Sequence, residues 1–162
     1  MNKIKVYLDT NTVQDFFINQ ALEFKGKKPF RMPKKLEFFI DNLDRIDFIT
    51  SFYTKAEIMR EMVAGYGMNK NKVEDIWNEL MGLLSCEFVT EFRFDQNLVE
   101  IAANLNLKLR TLINFQHLLI AMDRSTYLVT GDRDLIKKVR ENKIYDKILS
   151  YIELRKLIAS LF

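Results

Sequence analysis

Ile4, Val6 and Leu8 lie in a short β-branched run, IKVYL, that stops abruptly at Asp9. Such a run reads as a strand buried in a parallel sheet. Directly after it, Val13, Phe16, Phe17, Gln20, Ala21 and Phe24 recur at the i, i+3, i+4, i+7 spacing of a helix buried along one face, with Thr12 placed as its N-cap. A strand feeding straight into a helix of this length returns the chain for a parallel partner, which limits the topologies open to it.

The alternation continues along the chain. IDFIT (46–50), CEFV (86–89), TYLVT (126–130) and KILSY (147–151) are the other predicted strands. Pro33 is placed to open a helix striped by Leu36, Phe39, Ile40 and Leu43. Thr54 and Glu57 have capping-box spacing ahead of Ile58, Met59, Met62 and Val63, with Gly65 and Gly67 as the stop. Val73, Ile76, Trp77, Leu80, Met81 and Leu84 form the cleanest helical stripe, and Trp77 and Cys86 are expected in the core. Further helices are predicted through Leu98, Ile101, Ala102, Leu105 and Leu109, from about Asn114 to Met122, through Leu135, Ile136 and Val139, and through Ile152, Leu157, Ile158 and Leu161. The expected fold class is α/β: three layers, α/β/α, with a mainly parallel central sheet of four to five strands.

Size and composition narrow the choices further. At 162 residues, 48% hydrophobic and 29% charged, the chain suits one domain spanning 1–162, and five Gly and two Pro leave no linker on which to divide it. No apolar run approaches the roughly 20 residues needed to span a bilayer, and the N-terminal apolar stretch is too short for a signal sequence, so the cytoplasm is the expected location. A single cysteine, Cys86, and a single histidine, His117, exclude a disulfide scaffold and a thiolate zinc site. The net charge of +3 is unevenly spread: residues 25–35, KGKKPFRMPKK, hold six basic residues and no acid.

In an open parallel sheet, ligands bind beyond the carboxyl ends of the strands. Asp9 follows the first predicted strand, Glu57 lies just past the second, and Asp132 and Asp134 come directly after the fourth. Each could be a turn or cap residue alone. Their shared edge is what independent caps do not require. Grouped carboxylates call for a cation, and hard oxygen ligands suit Mg²⁺ or Mn²⁺ and phosphodiester chemistry.

The segments VYLDTNTVQDFF (6–17), TSFYTKAEIMRE (50–61), NFQHLLIAM (114–122) and LVTGDRDL (128–135) together resemble the PIN domain family, which includes the toxin ribonucleases of toxin–antitoxin pairs. The resemblance spans nearly the whole chain. It implies a metal-dependent endoribonuclease with catalytic roles on Asp9, Glu57 and Asp132, and metal contacts from these with Asn114 and Asp134. Asn11, Ser51 and Thr130 match the polar positions beside the acids. Asn114 stands where the family usually carries its third acid, and an amide oxygen brings neither charge nor basicity. The second reading is therefore an attenuated PIN-like module that binds RNA or a protein. A phosphotransferase of the haloacid-dehalogenase kind is disfavoured, because Asn11 occupies the place of its second Asp.

His117, three residues after Asn114 among Leu118, Ile120 and Ala121, reads as a packed, hydrogen-bonded histidine supporting the site. Lys25, Lys27, Lys28, Arg31, Lys34 and Lys35 are the candidate RNA contacts, with Phe30 expected to stack on a base. The candidate partners are an RNA substrate, an antitoxin protein and a second copy of the chain; a membrane is not among them.

Overall fold

The computed structural model describes residues 2–93, 96–107 and 109–162. Five strands, β1 (Ile4–Leu8), β2 (Ile46–Ser51), β3 (Glu87–Val89), β4 (Tyr127–Val129) and β5 (Ile148–Leu149), form one all-parallel sheet in the order β3-β2-β1-β4-β5. Helices α1 (Thr10–Phe24), α2 (Lys34–Ile40), α3 (Phe52–Arg60) and α4 (Lys70–Leu83) fill the connections that step one way across the sheet. After β3 the chain steps back past β1, through α5 (Gln96–Asn104) and α6 (Leu109–Asp123) into β4, and through α7 (Arg133–Glu141) into β5; α8 (Tyr151–Leu161) ends it. Reversing the step while keeping right-handed crossovers moves the helices to the other face. The core accordingly splits in two. Val6, Leu8 and Phe48 pack with Phe16, Phe17, Phe39, Ile58, Trp77 and Leu154 on one face. Tyr7, Ile49 and Leu128 pack with Phe115, Leu118, Leu135 and Val139 on the other. The three-layer α/β/α architecture is as expected, and the strand order reverses between β1 and β4, where ligand crevices open in such sheets.

Several local expectations are corrected. Asp9, not Thr12, caps α1, because the helix starts three residues earlier than its apolar stripe and Thr12 N donates to Asp9 Oδ1 at 3.1 Å. The capping box of Thr54 and Glu57 does not form: Ser51 caps α3, the Thr54 hydroxyl donates to Leu8 O at 3.2 Å, and Glu57 turns to another helix. Helix α3 passes at Arg60 into a five-residue π-helical turn, Glu61–Gly65, and Gly67 then takes a φ of 63°, which glycine adopts without a Cβ penalty. The helix expected through Leu98 to Leu109 is two helices broken near Asn106 (φ 49°), so α6 starts at Leu109 and Asn114 sits within it rather than at its head. The side chains of Leu98 and Leu109 lie outside the described residues. Phe24 on α1 and Ile152 and Leu161 on α8 are exposed, and α8 packs instead through Leu154 and Ile158. Trp77 is buried against Phe17, whereas Cys86 is half-buried. No helix among the described residues is long and apolar enough to cross a membrane.

Candidate active site

Because β1, β2 and β4 run parallel, their carboxyl ends deliver Asp9, Ser51 and Thr130–Asp132 to one edge. Asp9 is 1% exposed. Its Oδ1 caps α1 and also accepts the Thr12 hydroxyl, while its Oδ2 is buried with no hydrogen-bond partner. Burial raises the Asp9 carboxyl above the ordinary carboxylate range, outweighing the His117 ring and the Thr12 and Thr130 hydroxyls that pull it down. The cap and the candidate ligand are thus one side chain with an oxygen for each role.

The other acids are more fully engaged. Glu57 Oε1 meets His117 Nε2 at 2.6 Å. Burial pushes the Glu57 carboxyl up, but the hydrogen bond and charge of His117 prevail and hold it below its ordinary value. Asp132 caps α7 through Oδ1, which accepts from Leu135 N at 3.0 Å, and its Oδ2 accepts from Asn114 Nδ2 at 2.8 Å. Its own N–H donates to Thr130 Oγ1 at 3.2 Å. Asp134 pairs with Lys138 at 3.3 Å and lies 3.5 Å from the Thr111 hydroxyl. Among the described residues, no three acidic, histidine or cysteine side chains converge closely enough to hold a metal ion. The amide at Asn114 is central to this arrangement: where a carboxylate would repel Asp132, Asn114 donates to it.

Tyr7 was not anticipated as a site residue. Strand alternation points it away from Val6 and Leu8, into the second core, where its hydroxyl lies 2.6 Å from Ser51 Oγ and 2.7 Å from His117 Nδ1. Desolvation raises the Tyr7 hydroxyl well above its ordinary pKa, so it stays protonated. An ionised Glu57 only accepts, so His117 Nε2 donates to it, while the Tyr7 hydroxyl bridges Ser51 Oγ and His117 Nδ1. The buried chain Ser51–Tyr7–His117–Glu57 ties strands β1 and β2 to helices α6 and α3. The signal available in the sequence was a polar-tipped aromatic within a buried strand, which needs a partner for its hydroxyl.

Two clefts meet at this edge. One, of about 590 Å³, is lined by Asn11, Gln14, Glu57, Arg60, Glu61 and Asn114 among others. The second, of about 580 Å³, is lined by Asn11, Thr111, Asn114, Asp132, Arg133 and Asp134 with Gly131. Asn11 and Asn114 belong to both walls. Glu61, on the π-helical turn, accepts from Gln14 Nε2 at 2.7 and 2.8 Å and so closes the first cleft against α1.

The basic segment is divided by the fold. Helix α1 runs away from the acid edge for 15 residues, or about 22 Å, leaving Lys25, Lys27 and Lys28 beyond its far end. The chain then climbs back along α1, where Asn19 Nδ2 donates to Arg31 O at 2.8 Å, and only at α2 regains the acid edge, with Lys35 Nζ 3.5 Å from Asn11 O. Lys34 is exposed on the first turn of α2. Phe30 does not stand free for a base: its ring packs edge-on against Phe16 with centroids 5.5 Å apart. Asp123 is apart from the acids, 3.7 Å from Arg124. Among known proteins, no family model matches this chain and no curated protein matches it.

Proposed function

We propose that the chain is a metal-dependent endoribonuclease of the PIN kind, hydrolysing RNA phosphodiesters at the edge formed by Asp9, Glu57 and Asp132. The observation that carries this reading is Asp9 Oδ2, a buried carboxylate oxygen without a partner at the point where strand order reverses. A donor set made of hard oxygens suits Mg²⁺ or Mn²⁺; the three acids do not converge on one point as the side chains stand, so an ion would sit on the free Asp9 Oδ2 and Glu57 and Asp132 would join it by leaving His117 and Asn114. When bound, it would activate a water and neutralise charge on the leaving oxygen. The chain's own contribution is positioning. His117 fixes Glu57, the first turn of α7 and Asn114 fix Asp132, and the amides of Asn11 and Asn114 offer donors to phosphate oxygens along both clefts. By the same resemblance, the proposed biological role is that of a toxin ribonuclease restrained by an antitoxin protein.

Incubating the purified protein with single-stranded RNA and Mn²⁺ or Mg²⁺ tests the proposal. Cleavage that disappears with EDTA and in Asp9→Asn supports it; cleavage that survives both refutes it. One observation favours a second reading, an RNA-binding module with little activity: Glu57 and Asp132 are already satisfied by His117 and Asn114. RNA that is bound and left intact with either ion would favour that reading.

A further inference from the structure

Beside the carboxyl end of β4, a smaller cavity of about 290 Å³ opens between α2, α7 and α8. Its walls include Thr12, Lys35, Gly131, Arg133 and Tyr151, and no carboxylate is among the described residues that line it. Lys35 is half-buried, held with Nζ 5.8 Å from the centre of the Tyr151 ring, and makes no ion pair among the described residues. Arg133 is exposed and likewise forms no ion pair among the described residues. Among the described residues, two cations without counterions thus line one hollow, and one of its hydroxyl-bearing residues, Thr12, hydrogen-bonds to Asp9. Gly131 and Arg133 also line the Asp132 cleft, so the two spaces share a wall. Unpaired cations around a concave surface next to carboxylates are arranged to hold a polyanion that the carboxylates would otherwise repel.

We propose that this cavity is a phosphate subsite for single-stranded RNA, in which Lys35 and Arg133 hold a phosphate neighbouring the one presented at Asp9. The inference rests on the RNA-directed reading above and deepens it: of the six cations in the basic segment, Lys35 is the one that guides the strand, with Arg133 from a distant part of the sequence as its partner. The strand then runs from the Asp132 cleft over Gly131 toward α8, whose exposed Ile152 borders the same cavity.

Binding of a fluorescein-labelled single-stranded RNA, followed by anisotropy in EDTA across a salt series, separates this subsite from the chemistry. The double variant Lys35→Gln/Arg133→Gln is expected to weaken binding about tenfold or more and to flatten the log Kd against log salt slope by about 0.7, the value for one neutralised phosphate on a single strand. Lys35→Arg should retain wild-type affinity, and the triple variant Lys25→Gln/Lys27→Gln/Lys28→Gln should change it far less than the double one. Near-wild-type melting of each variant shows that it folds. An unchanged slope in the double variant, or a wild type that binds no RNA, overturns the subsite. So does inorganic phosphate raising the melting temperature of wild type but not of the double variant while their RNA affinities match, which would assign the cavity to free phosphate. A subsite that behaves as expected beside RNA that is never cleaved with Mn²⁺ or Mg²⁺ would sink the nuclease reading alone, and cleavage by a protein indifferent to Lys35 and Arg133 would sink the subsite alone.

Discussion

Replacing Asp9 by Asn should make the metal-free protein more stable while abolishing its response to divalent cations. Asp9 Oδ2 is buried with no hydrogen-bond partner, and burial holds the carboxyl above its ordinary value, so ionising it costs the folded state. A buried polar atom left unsatisfied costs about 1–3 kcal/mol, and more when charged. The asparagine keeps an oxygen for Thr12 N and its hydroxyl, so the cap on α1 survives, and its Nδ2 at the buried position retains the cost of an unpaired polar atom while removing that of ionisation. In a chain of 162 residues, relief of that cost raises Tm by about 2–4 °C per kcal/mol. The sign of the pH dependence follows from the raised pKa. The folded state takes up a proton before the unfolded one, so wild-type stability increases as pH falls through the folded-state pKa of Asp9 toward the 3.8 of a free aspartate, a gain that the Asn variant lacks. Thermal melts in EDTA from neutral to acid pH, repeated with Mn²⁺, measure both effects. An Asn variant that melts below wild type in EDTA, with the same pH profile, would refute the idea that ionising Asp9 costs the folded state. A Mn²⁺-induced rise in Tm that is equal in the two proteins would remove Asp9 from any metal site.

Tyr7→Phe leaves Ser51 Oγ and His117 Nδ1 without their shared partner and should cost about 1–3 kcal/mol in denaturant melts, with a smaller loss in a variant that already lacks His117, because the two belong to one chain of hydrogen bonds. Asn114→Asp exchanges a donated hydrogen bond at 2.8 Å for repulsion with Asp132, so Tm should fall in EDTA and recover with Mn²⁺; a Tm indifferent to both would mean that Asn114 and Asp132 do not share a cation. Burial, with Glu87 beside it, pushes the Cys86 thiol up to about 12, so Ellman's reagent at mildly alkaline pH should modify native protein far more slowly than urea-unfolded protein.

The strand of residues 4–8, the stripe of α4 and the placing of Asp9, Asp132 and Asp134 after strands were legible in the sequence because they rest on local periodicity and on the rule that parallel strands deliver their carboxyl ends to one edge. So was the three-layer class, since alternating strands and helices leave few other ways to bury both faces of a sheet. Partners were not legible. Thr54 and Glu57 satisfy the spacing of a capping box, yet His117, 60 residues away, takes the Glu57 carboxylate, and Ser51 takes the cap. The basic run reads as one patch in the sequence, whereas the length of α1 sends Lys25 to one edge of the sheet and the return of the chain brings Lys35 to the other, opposite Arg133. Tyr7 reads as one more strand residue until the register of β1, β2 and α6 places a serine and a histidine on its hydroxyl. Helical and strand periods are properties of a few consecutive residues and so survive in one dimension. Which carboxylate keeps a free oxygen, and which is neutralised by an amide or an imidazole, depends on contacts between residues far apart in the chain, and only tertiary packing decides those.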